Sequence, residues 1–443
     1  MTGAVCFAGD EAFPPSSGAM RVAFGNLSGR VQFMLKRFSE RLWVKPLLAS
    51  VLSVAGVFAA KAADGTALAD IVPAITVESI QTLLSIMASS VLVIASLAVA
   101  SMVSAYASAS NTASPRAFPL VVADDRSQYA LSAFVATFIY SIVGLIASKN
   151  EYFGPAGRFV LFAMTLLVLT MVVLMFVTWI DRIARLGRMG VTIQQVERAA
   201  ARSLQDRRDM PFLGGQPQYA PSTNGVALHA AEVGFLQHID MSGLQDAAIT
   251  ANVRLEIAAL PGTFITPDRP IACYVSTSPV DADTLRDMIQ KHFVIGRDRT
   301  FEDDPRFGLI VLSQIAGRAL SPAINDPGTA IDVIGVAVRL LVDWNAPRTE
   351  HEPHAVRYDR ISVPPLKADD MFDDAFIAIE RDGANAIEVI VRLLRALETL
   401  SQLGDPFMRA AARRHVSRIV ALAEHATHLQ EDRELIAQRA AFA

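Results

Sequence analysis

The residues best equipped for chemistry in this 443-residue sequence lie within thirty positions of one another: Arg297, Arg299, Thr300, Asp303, Asp304, Arg318, Ser321, Asn325 and Asp326. A compact helical hairpin would bring them together. The guanidinium groups could then hold a small anion through paired N–H donors, and the carboxylates with Asn325 could take a hard cation. A purely structural role competes with both. Pro322 would end one helix, Asn325 would turn the chain, and Asp326-Pro327 would cap the next helix with a carboxylate at the N-cap and proline at the first helical position. Asp304-Pro305 and Asp405-Pro406 repeat that cap.

Catalytic chemistry has no comparable support. The eight histidines show no H-E-x-x-H spacing, and the chain has neither a Gly-rich phosphate loop nor a Gly-x-Ser-x-Gly elbow. His238 and Asp240 would share one face of a strand, an arrangement met more often as a hydrogen-bonded structural pair than as a metal site. The two cysteines, Cys6 and Cys273, stand in unrelated contexts and build neither a disulfide framework nor a metal knuckle. The expectation is a protein without catalytic residues, metal or cofactor.

The elements that must position the Arg/Asp cluster follow from composition. Hydrophobic residues make up 52% of the chain and charged residues 19%, with a mean hydropathy of +0.35. That is too apolar for a soluble protein and too charged for one lying wholly in the membrane. A net charge of −4 gathers no nucleic acid, and basic residues are not interleaved with aromatic ones. Charges are missing between Glu78 and Arg116, from Ser127 to Ser148 and from Phe159 to Ile180, and a shorter apolar run covers Pro46 to Ala60. These runs predict membrane helices over 42–62, 80–107, 127–148 and 159–181, following a disordered leader over 1–35. The first segment also has the look of a secretory signal peptide ending near Ala60-Lys61-Ala62. Twelve basic residues from Arg21 to Arg198 fall on one side of these spans, against Lys61, Lys149 and Arg158 on the other. The positive-inside rule then puts both termini in the cytoplasm.

The second of these helices is rich in small residues. Ser96, Ala100, Ser104 and Ser108 recur every four positions, the spacing that lets helix backbones touch in lipid. This face would serve helix packing, within the bundle or in a homo-oligomer, or would line a permeation path. The second to fourth spans hold no ionisable residue at the midplane, which argues against an ion-coupled secondary transporter.

An amphipathic segment and a Pro/Gly-rich linker follow over 191–224. Short apolar runs between turn signals predict a small β-barrel or sandwich over 225–280. The stretch Ala258 to Ala272 looks like the hairpin of biotinyl/lipoyl-type barrels, without their cofactor-bearing lysine. Helical periodicity then predicts helices at 281–292, 305–320, 327–343, 370–403 and 406–440 within a helical domain over 281–443. The fold class expected is four membrane helices followed by a cytoplasmic α+β region.

The segment Arg318-Ala-Leu-Ser-Pro-Ala-Ile-Asn-Asp-Pro-Gly-Thr-Ala330 resembles the signature of an uncharacterised bacterial membrane-protein family, domain of unknown function 2254. Ser114-Pro115-Arg116, Tyr129 to Ile146, Gly234-Phe-Leu-Gln-His-Ile-Asp240, Pro261-Gly-Thr-Phe-Ile-Thr-Pro267 and Gly296-Arg-Asp-Arg-Thr300 resemble it in the same order. The resemblance spans roughly residues 40 to 430. Ala323 and Gly328 stand where that pattern has a glycine and a bulkier residue. The resemblance implies a bacterial inner-membrane location and no established activity. Two functions are open at this point: an oligomeric channel or transport-type protein with a cytoplasmic regulatory domain, or a membrane-tethered ligand sensor or scaffold. The partners expected are the lipid bilayer, further copies of the chain, and a small anion or cation at the Arg/Asp cluster.

Overall fold

The computed structural model describes residues 44–65, 72–73, 75–112, 114–122, 125–185, 188–220, 225–276, 279–346 and 356–443. The leader expected over 1–35 lies outside them. Among the described residues, four helices are long and apolar enough to cross a membrane. They are α1 (Val44–Ala62), α2 (Val77–Thr112), α4 (Asp125–Lys149) and α5 (Pro155–Arg185), with a short α3 (Phe118–Val122) between the second and third. All four coincide with the charge-free runs, because only an apolar surface can stay uncovered in hydrocarbon.

Helix α4 is the centre of this bundle and packs against α1, α2 and α5. Buried polar groups of the bundle lie on it, where Tyr140 Oη meets Thr165 Oγ1 at 3.0 Å. Near the far end, Asp64 accepts from Gly154 N (2.7 Å) and Gly157 N (2.6 Å), tying the end of α1 to the start of α5. With Val57 and Ala60 buried, α1 is a packed member of the bundle.

On the opposite side the chain leaves α5 for α6 (Met189–Asp209). The buried face of α6, through Ile193, Val196, Ala200 and Leu204, joins one core with α9 (Phe307–Ala319), α10 (Pro327–Asn345), α11 (Ala368–Asp382), α12 (Ile387–Leu403) and α13 (Pro406–Ala426). Helix α14 (Gln430–Ala440) packs on α12 and α13. Ala117, in the turn between α2 and α4, enters the same core. Ser114 Oγ donates to Gln314 Oε1 of α9 at 3.3 Å. The membrane unit and the helical domain are thus joined through two separate segments.

The second extramembrane core lies among two sheets and two helices, α7 (Met241–Thr250) and α8 (Ala282–Gln290). Strands β1 (Gly215–Pro217), β2 (Val226–His229), β4 (Arg254–Ile257), β6 (Pro270–Val275) and β8 (Tyr358–Val363) form a mixed sheet in the order β1-β8-β4-β6-β2. Strands β5 (Phe264–Ile265), β3 (Gly234–Ile239) and β7 (Phe293–Gly296) form a smaller antiparallel sheet. The β region therefore draws strands from outside 225–280. β8 arrives from beyond α10 and runs parallel to both β1 and β4. The Ala258–Ala272 segment leads from β4 into its antiparallel neighbour β6, and on the way it crosses to the smaller sheet and supplies β5.

Two expected helices are broken. The 370–403 segment splits at Gly383, whose N–H bonds Ile379 O at 2.8 Å to end α11. A Cβ at Gly383 would stand 2.7 Å from that carbonyl oxygen. The 406–440 segment splits after Ala426.

Candidate functional site

The structure divides the Arg/Asp set between the two ends of α9, a helix of 13 residues and therefore about 20 Å long. Ser321, Asn325 and Asp326 lie in the turn from α9 to α10, with Arg318 in the last turn of α9. Ser321 Oγ donates to Arg318 O (2.7 Å), and Asn325, at φ +50°, donates its N–H to Ser321 O (2.9 Å). Asp326 N–H bonds Ala319 O (2.8 Å), and its carboxylate accepts from Thr329 N (3.1 Å) and Thr329 Oγ1 (2.6 Å). These hydrogen bonds hold the Asp326 carboxyl below the usual carboxylate range. Asn325 and Asp326 are exposed, so the turn is a helix cap open to solvent.

The other end is a buried charge cluster. Arg299 grips Asp304 through Nε (2.6 Å) and Nη2 (2.9 Å), and Asp304 is only 1% exposed. The guanidinium lies 5.4 Å from the centre of the Phe307 ring, which packs on Phe301. Asp304 also accepts from Arg306 N at 3.2 Å. It does not act as the N-cap of α9, a position taken by Arg306. Arg306 reaches in turn to Asp374 (2.5 Å) and Asp370 (2.8 Å), one turn apart on α11. His238 Nδ1 of β3 meets Asp303 Oδ2 at 2.5 Å. Burial pushes the Asp304 and Asp374 carboxyls above the usual range, with Arg299 and Arg306 opposing it.

The turn Pro261-Gly262-Thr263 presses on this pair. Gly262 N–H bonds Leu236 O (2.8 Å), and Leu236 N–H bonds Thr263 O (2.9 Å), which pins the turn to β3. Gly262 has φ +92°, and a Cβ there would run into the Asp304 carboxylate and stand 2.7 Å from Arg299 Nη2. Glycine is needed for both the backbone angle and the close approach.

Arg207, at the end of α6, is 4% exposed, and none of its three side-chain nitrogens has a hydrogen-bond partner among the described residues. Burial pulls its pKa down to about 10, against the attraction of Asp303 and Asp304. One turn earlier Ser203 Oγ is also buried without a partner, as is Thr300 Oγ1. Arg297 is exposed. Three arginines and four aspartates from α6, the 299–306 segment and α11 thus meet around one buried pair, with His238 at the edge. Such a cluster can neutralise an entering charge of either sign by exchange of partners.

Sequence reading found Arg299, Asp303 and Asp304 but missed Arg207, Arg306, Asp370 and Asp374. The doubled acids Asp369-Asp370 and Asp373-Asp374 were a legible signal, since spacing of four sets two carboxylate rows along a helix. The second row faces α13, where Arg414 meets Asp373 at 2.8 Å. Further along, the buried Glu380 contacts His415 Nδ1 and, at 2.9 Å, Arg418 Nε. Nothing marked Arg207 apart from its neighbours Arg202 and Arg208. His238 and Asp240 take different partners, since Asp240 accepts from Gly243 N (3.1 Å) at the start of α7 and meets His292 at 3.2 Å.

In the membrane unit, Ser96, Ala100, Ser104 and Ser108 are all exposed. The face of α2 turned to the bundle is instead Ile80, Leu84, Met87, Val91, Ala98 and Met102. The small-residue face is therefore not used for packing within the chain.

Residues 39–399 match the family described as "Predicted membrane protein (DUF2254)". Uncharacterised proteins of Mycobacterium bovis and Mycobacterium tuberculosis are 27% identical over 357 residues, which is 76% of this chain and 66% of theirs. The chain thus spans just under two thirds of these relatives' length. No solved structure matches it. Since the match runs from the first membrane helix through the buried charge cluster to α12, this chain belongs to the DUF2254 family of predicted membrane proteins.

Proposed function

We propose that this chain is an oligomeric channel- or transport-type protein of the bacterial inner membrane, regulated by its extramembrane domain on the cytoplasmic side. The outward orientation of the small-residue face of α2 carries this reading. In lipid, small residues at spacings of four favour an approach of backbones that larger side chains prevent. Here α4 and α5 occupy the other face of α2, so the fitting partner is the same face of another copy. The Ser96 hydroxyl bonds back to Leu92 O at 2.9 Å, which lets it sit at a lipid-facing or lumen-facing position at modest cost. Gathered about a common axis, such faces would line a path of hydroxyl and methyl groups without charge.

Coupling to the extramembrane domain has two routes on this reading. One is the Ser114–Gln314 contact below α2, and the other is α6, which follows α5 and ends at the buried Arg207. The excess of basic residues on that side supports a cytoplasmic domain. The test is current through planar bilayers holding the purified full chain under voltage and under tension. Conductance is expected, and silence from protein shown to be folded and oligomeric would contradict the reading.

The buried guanidinium of Arg207, without a hydrogen-bond partner among the described residues, favours a second reading, a ligand sensor in which an anion engages it. A thermal-shift screen of the full chain with nucleotides, inorganic phosphate and divalent ions tests it. A shift abolished in Arg207→Met supports a sensor, and a flat screen argues against one.

A further inference from the structure

On the side of the membrane unit away from the extramembrane domain, the ends of α2 and α4 enclose an open crevice of about 320 Å³. Its polar lining is Glu78, Gln81, Thr82, Ser85 and Lys149, and its apolar lining is Ile86 and Leu145. Depth in the bilayer follows from length. The span Gln128–Lys149 has 22 residues, or about 33 Å, which matches the ~30 Å of hydrocarbon and sets Lys149 at headgroup level with Leu145 one turn deeper. The span Val77–Ser108 has 32 residues and overshoots the hydrocarbon by about a dozen, so the turns carrying Glu78 and Thr82 stand in the same interfacial layer.

Of the other charges near this surface, Glu151 is exposed, while the two cations are engaged within the protein. Lys61 pairs with Asp64 at 3.4 Å, and Arg158 Nε donates to Phe153 O at 3.1 Å. Glu78 and Lys149 are exposed and form no ion pair among the described residues. The crevice thus presents one cation, one anion, and amide and hydroxyl groups between them, above an apolar floor.

The geometry points to a binding site for a phospholipid whose headgroup carries a primary ammonium, of the phosphatidylethanolamine class. The phosphate meets the Lys149 ammonium, the headgroup ammonium meets the Glu78 carboxylate, and the acyl chains run down over Ile86 and Leu145. Gln81, Thr82 and Ser85 offer acceptors to N–H donors, which a quaternary ammonium lacks. An anionic headgroup without an amine would satisfy Lys149 and leave Glu78 opposed to it.

Native mass spectrometry of the full chain, exchanged into micelles doped with phosphatidylethanolamine, phosphatidylcholine or phosphatidylglycerol, reads this directly. The ethanolamine lipid should be retained over the other two by about fivefold, the scale of one charge-assisted hydrogen bond at an exposed site. Glu78→Gln should erase that preference, and Lys149→Gln should lower retention of all three lipids. The swapped pair Glu78→Lys with Lys149→Glu keeps both charges and should restore the preference for the amine. Equal retention of the three lipids by the wild type, or an unchanged preference in Glu78→Gln, overturns the proposal. So does displacement of bound lipid by soluble phosphoethanolamine at equal concentration, since the apolar floor would then contribute nothing.

Discussion

Asp304-Pro305 precedes α9 and Asp326-Pro327 precedes α10, and the same dipeptide meets two environments. Asp326 is exposed and spends its oxygens on Thr329, the ordinary use of a carboxylate at a helix start. Asp304 is buried under the Gly262 turn and gripped by Arg299, and its carboxylate meets the start of α9 through Arg306 N. A motif that reads as a cap is therefore a cap at Asp326 and not at Asp304. What separates them is the tertiary neighbourhood of Asp304, supplied by residues from Gly262 to Arg207, about 40 to 100 positions away.

The largest test of that difference is removal of each carboxylate. Asp304→Ala leaves the half-buried Arg299 beside Phe307 without its counter-charge, and should destabilise the extramembrane domain by about 3 kcal/mol in chemical unfolding of the full chain. Gly262→Ala comes next. The added methyl meets the Asp304–Arg299 pair at a positive φ, and a loss of about 2 kcal/mol is expected by the same measurement. Asp326→Ala removes only an exposed cap and should cost about 1 kcal/mol. If Asp326→Ala proved as costly as Asp304→Ala, the distinction between the two ends would fail.

Acid should separate the two ends by sign. Asp326 titrates below the ordinary carboxylate value of 3.8 in the folded chain, so its contribution holds at higher pH and is lost as pH falls through that depressed value. Asp304 titrates above 3.8, so the folded state binds the extra proton between 3.8 and the raised value, and stability falls as pH rises through that window. Hydrogen exchange at the Thr329 amide should quicken as pH falls below 3.8, once intrinsic exchange is corrected for, with no matching loss of protection at Arg306.

How legible this was depends on the range of the forces involved. Three of the four apolar helices were plain because their requirement, an apolar surface of fixed length, is local, whereas the shorter Pro46–Ala60 run also fitted a signal peptide. The caps at Asp326 and Asp405 were equally plain, since proline and a carboxylate act on the next turn. The strand Tyr358–Val363 could not be assigned to a sheet, because its partners lie about 100 and 140 residues earlier. Arg207 was invisible for the same reason, its burial being set by the docking of α6 onto α9, where Ala200 lies against Gly308. The small-residue face of α2 was visible as a pattern, while its direction needed the bundle.

The contrast between covered and uncovered groups recurs in the membrane unit. Tyr140 and Thr165 satisfy each other inside the bundle, whereas Ser96 and Ser104 look outward from it. Whether another copy covers that face is decided most directly by disulfide cross-linking in native membranes, using single cysteines at Ser96→Cys and Ser104→Cys in a chain whose Cys6 and Cys273 are replaced by serine. Val173, 52% exposed on α5, provides the comparison position. The account predicts cross-linked dimers from both α2 positions and none from Val173→Cys; α2 variants that stay monomeric, or cross-link no better than Val173→Cys, would contradict it.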